Sequence, residues 1–381
     1  MLDEKYKKAA RAIVKAGAFP FPINDTMLKI LKKLITEEEL DLILAFKRNS
    51  SQTIEQLKQR SKISEEQIQK HAKSLAKKGI IFNQPSSTGI MVYRLMPLLM
   101  IGIFEYTFMK KINFTEKERE IAKLFTQLFQ EYSGFIQDNY DTIVPAIFEN
   151  SRPYDRTVSI LDKTISGEEI LISINEEIEV PEEKVIPTQE VEAIIQKFDD
   201  IAVGYCFCRH HQDLLENPCK TTSLRETCFT FGKSARYTSE QGFARMISKD
   251  EALQILRKSE ESGLVHKAFH SNSDITKIET SICNCCKCCC GTLEWWRIGM
   301  TSLINWTNYL SCIDSGLCIG CGTCVEKCPV DAIKLNDDNI AEVNTKYCIG
   351  CGICAHFCSE NAISLLEGMR KVYIPPPKLR D

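Results

Sequence analysis

The first 205 residues of this 381-residue chain contain no cysteine, and all 19 cysteines fall between Cys206 and Cys358. Glycine and proline are sparse, at 18 and 13 residues, which excludes a collagen-like or low-complexity fibre. Long apolar runs are also missing. The longest, Leu95–Phe104, is interrupted by Pro97, whereas a membrane span needs about 20 residues. Hydrophobic residues make up 44% of the chain, which is enough for packed cores and excludes a disordered protein.

The chain opens with charged residues where a signal peptide needs an apolar stretch. We therefore expect a soluble, cytoplasmic protein with no membrane span. Thiols in the cytosol are kept reduced, so clustered cysteines there are more often metal ligands than disulfides.

The N-terminal part is basic: residues 1–110 carry 19 Lys and Arg against 11 Asp and Glu, a net charge of +8. Capping boxes at Thr36 and Ser64 predict two helices, and the short apolar runs at 80–82 and 90–95 predict a hairpin. Helix–turn–helix followed by a hairpin is the order of a winged-helix module. Residues 25–95 resemble that family, which implies a winged-helix-like domain and makes DNA a candidate partner.

The next hundred residues, 96–200, carry no visible chemistry. Leu98–Lys110 and Thr115–Ile136 have helical patterns, and residues 150–186 are acidic with short strand-like runs. We interpret 96–200 as a helical and acidic connector region. A buried strand, Ile201–Tyr205, then leads into a cysteine-rich region, 201–310, which we interpret as a metal domain.

The last seventy residues repeat a cysteine pattern 30 residues apart, CIGCGTCVEKCP against CIGCGICAHFCS. Three thiolates on one tight loop can hold three corners of a cubane, and the fourth thiolate of each run ligates the other cluster. This spacing predicts one 4Fe–4S cluster on Cys318, Cys321, Cys324 and Cys358. It predicts a second cluster on Cys348, Cys351, Cys354 and Cys328.

This segment closely resembles the bacterial-type two-cluster ferredoxins, which implies a dicluster domain over 311–381. One departure is Ser359, which stands where the family usually repeats the proline seen at Pro329. Zinc in two four-cysteine sites is the alternative, but the tripled two-residue spacing with an exchanged fourth ligand does not suit it.

A second concentration of cysteines lies in the centre of the chain. Six reduced thiols within eight residues would be a liability without a metal or a redox task. We predict a third metal site drawn from Cys206, Cys208, Cys219, Cys228, Cys283, Cys285, Cys286, Cys288, Cys289 and Cys290.

The simplest assembly of this third site pairs Cys206 and Cys208 with the run at 283–290. An iron–sulfur cluster is the leading interpretation. Zinc, with help from His210, His211, His266 or His270, and a metal-free dithiol are the alternatives. Adjacent thiols such as Cys285 and Cys286 cannot all point at one small cluster. The whole arrangement resembles multidomain iron–sulfur proteins of anaerobes, which implies an architecture but no reaction.

The predicted fold class is α+β and multidomain: a winged-helix-like domain, a central cysteine-rich α+β region and a C-terminal ferredoxin-like domain. We expect an iron–sulfur electron-transfer protein, acting as a redox subunit or adaptor of an anaerobic oxidoreductase rather than as a stand-alone enzyme. The alternative is a winged-helix DNA-binding regulator controlled by cluster state. An enzyme acting at the central cysteines has no general-base constellation or cofactor motif to support it. The sequence does not identify redox partners.

Overall fold

The computed structural model describes residues 2–17, 21–46, 51–61, 63–149, 151–153, 155–161, 163–174, 191–271 and 274–379. Its α-helices are α1 (Leu2–Ala16), α2 (Asp25–Leu34), α3 (Leu40–Ala45), α4 (Ile54–Ser61), α5 (Glu65–Lys77), α6 (Ile103–Met109), α7 (Glu116–Asp138), α8 (Tyr140–Ile143), α9 (Val191–Gln196), α10 (Phe207–Leu214), α11 (Lys233–Glu240), α12 (Lys249–Glu261), α13 (Gly291–Arg297), α14 (Thr323–Lys327) and α15 (Ile353–His356).

Its strands are β1 (Ile81–Pro85), β2 (Met91–Leu95), β3 (Asp155–Val158), β4 (Ile172–Ile174), β5 (Ile201–Tyr205), β6 (Glu226–Phe231), β7 (Ala244–Met246), β8 (Val265–His270), β9 (Glu279–Cys285), β10 (Leu303–Ile313), β11 (Ile333–Leu335), β12 (Ala341–Val343) and β13 (Ile363–Ile374). A 3₁₀ turn, Glu37–Glu39, precedes α3, and a π-helical turn, Val144–Glu149, follows α8.

The chain folds as two compact units, each assembled from separate stretches of sequence. The first comprises Met1–Tyr132, Gly204–Pro218 and Lys233–Arg245, and the second comprises Ser133–Val203, Cys219–Gly232 and Met246–Asp381. Neither unit coincides with one of the four domains drawn from the sequence. The protein is thus a mixed helix-and-sheet, multidomain molecule.

The first unit contains the predicted N-terminal helices and hairpin. Both capping boxes form: Thr36 with Glu39, and Ser64 with Gln67. The strands β1 and β2 pair antiparallel with Ile81 opposite Leu95. These elements are confirmed, whereas membership of the winged-helix family stays a prediction.

One predicted helix in this unit begins later than expected. The helical pattern from Leu98 does not hold, and α6 starts at Ile103. Met100 and Ile101 adopt φ angles of 66° and 64°, which lie outside the helical region. The buried Glu105 carboxylate accepts hydrogen bonds from the N–H groups of Met100 and Gly102, so the turn before α6 is held in place.

The largest sheet in the described residues is mixed and has nine strands in the order β4-β13-β10-β3-β8-β9-β6-β5-β7, most of them in the second unit. The strands β8, β9 and β6 are antiparallel neighbours, whereas β3 is parallel to β10. The predicted connector therefore supplies β3 to the interior of this sheet. Part of its acidic stretch, residues 175–190, lies outside the described residues.

The ferredoxin segment joins this sheet through the long antiparallel pair β10 and β13. Their antiparallel register runs from Leu303 opposite Ile374 to Ile313 opposite Ile363. The boundary predicted at residue 311 thus falls inside β10. The two cysteine loops and the small sheet β11–β12 lie between these strands in sequence, so β10 and β13 fix both ends of the ferredoxin segment.

Candidate metal centres

Each ferredoxin loop turns at glycines where no side chain fits. Gly320 and Gly350 have φ angles of +70° and +60°. A Cβ at Gly320 would overlap the carbonyl oxygen of Asn339, and one at Gly350 would overlap that of Tyr309. The repeated Cys-x-Gly-Cys sequence therefore gives two tight loops of the same shape, each followed by a short helix, α14 or α15.

The first loop faces a small cavity in the second unit. Cys318, Cys321 and Cys324 line this cavity together with Cys358, which comes from the second run. The remaining walls are largely apolar, and Cys321 is exposed. The structure thus brings together the four thiols that the sequence assigned to one cluster, including the exchanged fourth cysteine.

The second loop lies deeper in the protein. Cys348, Cys351 and Cys354 are buried, as is Cys328 from the first run. Cys328 lies near enough to interact electrostatically with the other three. Burial raises the pKa of the Cys351 and Cys354 thiols, so these groups need a metal to become thiolates at neutral pH.

Polar groups reach the sulfurs of the second group. The Ala332 N–H donates to Cys328 Sγ at 3.2 Å, and the Gly350 N–H donates to Cys348 Sγ at 3.4 Å. Ser311 Oγ lies 3.1 Å from Cys354 Sγ. Such contacts orient ligands and tune cluster potential. Two groups of four thiols, one lining a cavity and one buried, therefore fit two 4Fe–4S clusters. The N–H groups that donate to sulfur are the kind of contact such clusters receive.

The two ferredoxin groups are also neighbours. Cys324 of the first group interacts electrostatically with Cys354 of the second, and the helices α14 and α15 that carry them pack together. An electron on one cluster would therefore be close to the other.

The central run of cysteines divides into two sets that face opposite ways. Cys285 and Cys290 pack in the apolar cluster that contains the ferredoxin cysteines. Cys286 and Cys289 pack instead around Leu264. Cys285 and Cys286, although adjacent in the sequence, therefore lie in different clusters, with Cys285 at the end of β9 and Cys286 in the turn that follows.

The first of these sets, which we name the strand set, comprises Cys228, Cys283, Cys285 and Cys290. Cys228 and Cys283 are cross-strand partners on β6 and β9. Cys283 interacts electrostatically with Cys228 and Cys285, and Cys285 with Cys290, so the four thiols are neighbours in one row.

A buried cation stands beside the strand set. Lys267 Nζ lies 2.6 Å from Asp155, and both side chains are almost fully buried. Burial lowers the pKa of Lys267, but Asp155, Cys285 and Cys290 outweigh it, so the pKa lies above its ordinary value. The pKa of the Cys285 thiol is lowered by Cys283 and Lys267. Cys290 and burial outweigh both and raise that pKa overall, so the set needs a metal to become thiolate.

The second set, which we name the turn set, comprises Cys219, Cys286, Cys288 and Cys289. Their sulfurs all lie within 4.8 Å of one another. Hydrogen bonding from Cys286 lowers the pKa of the Cys219 thiol to about 6. Two of the four side chains are buried and two are half-buried. This group has the composition of a four-thiolate metal site.

Cys206 and Cys208 belong to the first unit, where Cys206 occupies the N-cap position of α10. Their predicted pairing with the run at 283–290 stays a prediction. The nineteenth thiol, Cys312, is exposed on β10.

The histidines offered for a zinc site already have protein partners. His210 lies 3.2 Å from the Phe108 carbonyl oxygen, and His211 lies 3.1 Å from that of Ala122. His266 contacts Asn284 and Glu260 through its two ring nitrogens, and His270 contacts Arg156 and the Lys277 carbonyl. These contacts favour all-cysteine sites.

Comparison with known proteins identifies the C-terminal segment. Residues 311–365 match the 4Fe–4S dicluster domain family. This segment is a ferredoxin-type 4Fe–4S dicluster domain. A probable ferredoxin of Methanosarcina thermophila is 56% identical over 32 residues, which are 8% of this chain. The match spans 55% of that ferredoxin, about half its length. No solved structure matches the chain. Among the described helices, none combines the length and hydropathy of a membrane span.

Sequence reasoning missed the groups that surround the cysteines. Ser311 and Lys267 carry no motif, and only the strand pairing brings them near sulfur. Arg370, which donates to the carbonyl oxygens of Thr345 and Cys348, lies outside the repeated cysteine pattern on β13.

Proposed function

We propose that this protein is an iron–sulfur electron-transfer protein that serves as a redox subunit or adaptor of an oxidoreductase. The observation that carries the proposal is the cavity shared by Cys318, Cys321, Cys324 and Cys358. It has the crossed ligand pattern of a dicluster domain, and a 4Fe–4S cluster supplies reversible one-electron chemistry when bound.

The first ferredoxin group lies nearer the surface than the second, which supports a route for electrons from the surface inward. Cys321 is exposed, and the neighbouring Leu317 and Ile319 present 51% and 66% of their surface to solvent. The second group is buried. We propose that a redox protein docks at the first loop and that the second group passes electrons inward.

The strand set is our candidate for the third iron–sulfur centre. Cys285 and Lys267 line a small cavity together with Val330 and Ile349, which neighbour the second ferredoxin group in sequence. That proximity supports electron passage between the second cluster and the strand set. Lys267 would offset the negative charge of four thiolates.

The proposal is tested on the full chain purified without oxygen. We expect iron and sulfide in near-equal amounts, with at least about eight irons per chain. After reduction, electron paramagnetic resonance should detect interacting clusters, and a one-electron acceptor should reoxidise them. Cys358→Ser should perturb the first cluster's signal because it removes the crossed ligand.

Cys312→Ser is the matched control, since that thiol is exposed and belongs to none of the sets described above. It should keep the iron content and both signals. Stoichiometric zinc without iron after anaerobic reconstitution would contradict the proposal.

The second candidate function is DNA binding by the first unit. Lys70, Lys73 and Lys77 are exposed at helical spacing along α5, next to the hairpin β1–β2. Three lysines on one helix face can contact phosphates, but lysine-only contacts carry little sequence information. This candidate therefore predicts weak, salt-dependent binding.

A further inference from the structure

The sulfurs of the turn set are crowded in a way that the ferredoxin sulfurs are not. Cys288 Sγ lies 3.5 Å from both Cys219 Sγ and Cys289 Sγ. Within the described ranges, neither ferredoxin set has three of its sulfurs within 4.8 Å of one another. The chain therefore contains two kinds of four-thiol group that differ in size.

The spacing of the four sulfurs indicates how many metal ions each group can hold. Four sulfurs at about 2.3 Å from one tetrahedral ion lie about 3.8 Å apart. A cubane instead carries its four thiolates on four different irons, at alternate corners of a cube, so the sulfurs lie farther apart. The turn set matches a single ion, and the ferredoxin sets match cubanes.

The surroundings of the turn set are those of a closed site. The Cys289 N–H donates to Cys286 Sγ at 3.3 Å, and Thr221 Oγ1 lies 3.2 Å from Cys288 Sγ. Leu264 packs against the buried thiols. All four ligand positions are cysteines from this chain, which leaves no place for substrate. Closed four-cysteine sites without an open ligand position are the usual form of structural zinc sites.

The chain connectivity gives the site a structural task. Cys219 lies on the segment before β6, and the other three lie in the turn between β9 and α13. An ion held by all four would tie this turn to a segment 69 residues away in the sequence. Cys285 and Cys290 of the strand set flank this turn, at the end of β9 and at the N-cap of α13, so fixing the turn also positions those thiols.

We propose that Cys219, Cys286, Cys288 and Cys289 bind one zinc ion, which holds the turn that presents the strand set and does not itself carry electrons. This site lies outside the proposed electron path and is separate from the two ferredoxin clusters.

The test measures zinc and iron separately in the full chain, produced anaerobically with both metals supplied. We expect one zinc per chain in the unmodified protein. Cys288→Ser should lose that zinc and keep the ferredoxin resonance signals, whereas Cys285→Ser, the matched variant on the opposite face, should keep the zinc. Cys312→Ser should change neither metal.

A measurement on the unmodified chain keeps the test decisive even if a variant fails to fold. Cobalt introduced in place of zinc should give the intense sulfur-to-cobalt charge-transfer and d–d absorption of a tetrahedral four-thiolate site. Absence of both zinc and this cobalt spectrum would overturn the proposal. So would loss of one iron, or of about four irons, in Cys288→Ser. Failure of the electron-transfer proposal would instead appear in the iron count and leave the zinc unaffected.

Discussion

At Gly350 the second ferredoxin loop comes into direct contact with β10. The residue has a φ of +60°, and a Cβ there would overlap Tyr309 O and Thr307 Oγ1 on β10. Its N–H also donates to Cys348 Sγ. One residue therefore combines a left-handed backbone, close packing against a strand and a hydrogen bond to a predicted ligand.

We predict that Gly350→Ala disrupts the second cluster. A left-handed conformation costs an alanine about 1–2 kcal/mol, and the overlap with β10 adds to that. The loop must shift, which moves Cys348 and Cys351. We expect the chain to lose about four irons, measured by iron analysis together with the resonance spectrum of the reduced protein.

Gly89→Ala is the control for backbone strain alone. Gly89 has a φ of +81°, but a Cβ there meets no atom within 4 Å. It should therefore lower stability slightly and leave the iron content unchanged. Equal iron loss in both variants, or full iron retention in Gly350→Ala, would show that close packing at Gly350 does not matter.

The cysteines show which groupings of thiols can be predicted from the sequence and which cannot. The repeated spacing predicted which thiols meet around the first ferredoxin cavity, because a short loop leaves few geometries. It did not predict that Cys285 and Cys286 separate between the strand and turn sets. That division depends on where β9 ends and on the tertiary partners Cys219 and Cys228, which lie more than 50 residues away in sequence.

The helix α5 carries the exposed lysines that would contact DNA. It buries Ile68, Ala72 and Leu75, which leaves its lysines on the opposite face. Lys78, just after the helix, contacts the buried Glu39 at 2.7 Å and so belongs to the packing of the unit.

We predict that any DNA binding by the chain is weak and electrostatic. With three phosphate contacts, the logarithm of the affinity should fall with the logarithm of salt concentration with a slope of about −3. Lys73→Glu should weaken retention on any duplex at low salt, whereas Lys346→Glu, an exposed lysine of the second unit, should have little effect. Sequence-specific, nanomolar binding at physiological salt would contradict this and favour the regulator.

Local patterns predicted elements well where capping residues and periodicity agreed, as for α5, whose N-cap Ser64 accepts from the Gln67 N–H. They failed where tertiary contacts decide. The start of α6 depends on Met100 and Ile101, and the placement of β3 inside a nine-stranded sheet depends on partners far along the chain. From the sequence alone, residues 96–200 therefore resemble a connector, because the strands that pair with β3 and β4 lie far along the chain.

For the molecule as a whole, the two units differ sharply in their dependence on metal. Only Cys206 and Cys208 lie in the first unit, and the other 17 cysteines lie in the second. The first unit has an ordinary apolar core that includes Ile30, Leu31 and Phe104, all almost fully buried. The second packs many of its cysteines inside its own core. Without a bound metal, these buried sulfurs lose their ligand bonds and crowd polar groups together, which lowers stability.

We predict that removing all metal unfolds the second unit locally and leaves the first unit folded. Chelators under reducing conditions should abolish amide-exchange protection in residues 311–365 and in the turn 286–290. Protection in α2 and α5 should persist, because apolar burial holds those helices independently of any cluster. Hydrogen exchange read by mass spectrometry, before and after metal removal, measures this segment by segment. If α2 and α5 lose protection together with the ferredoxin segment, the two units fold as one cooperative, metal-dependent body, and the first cannot act as an independent module.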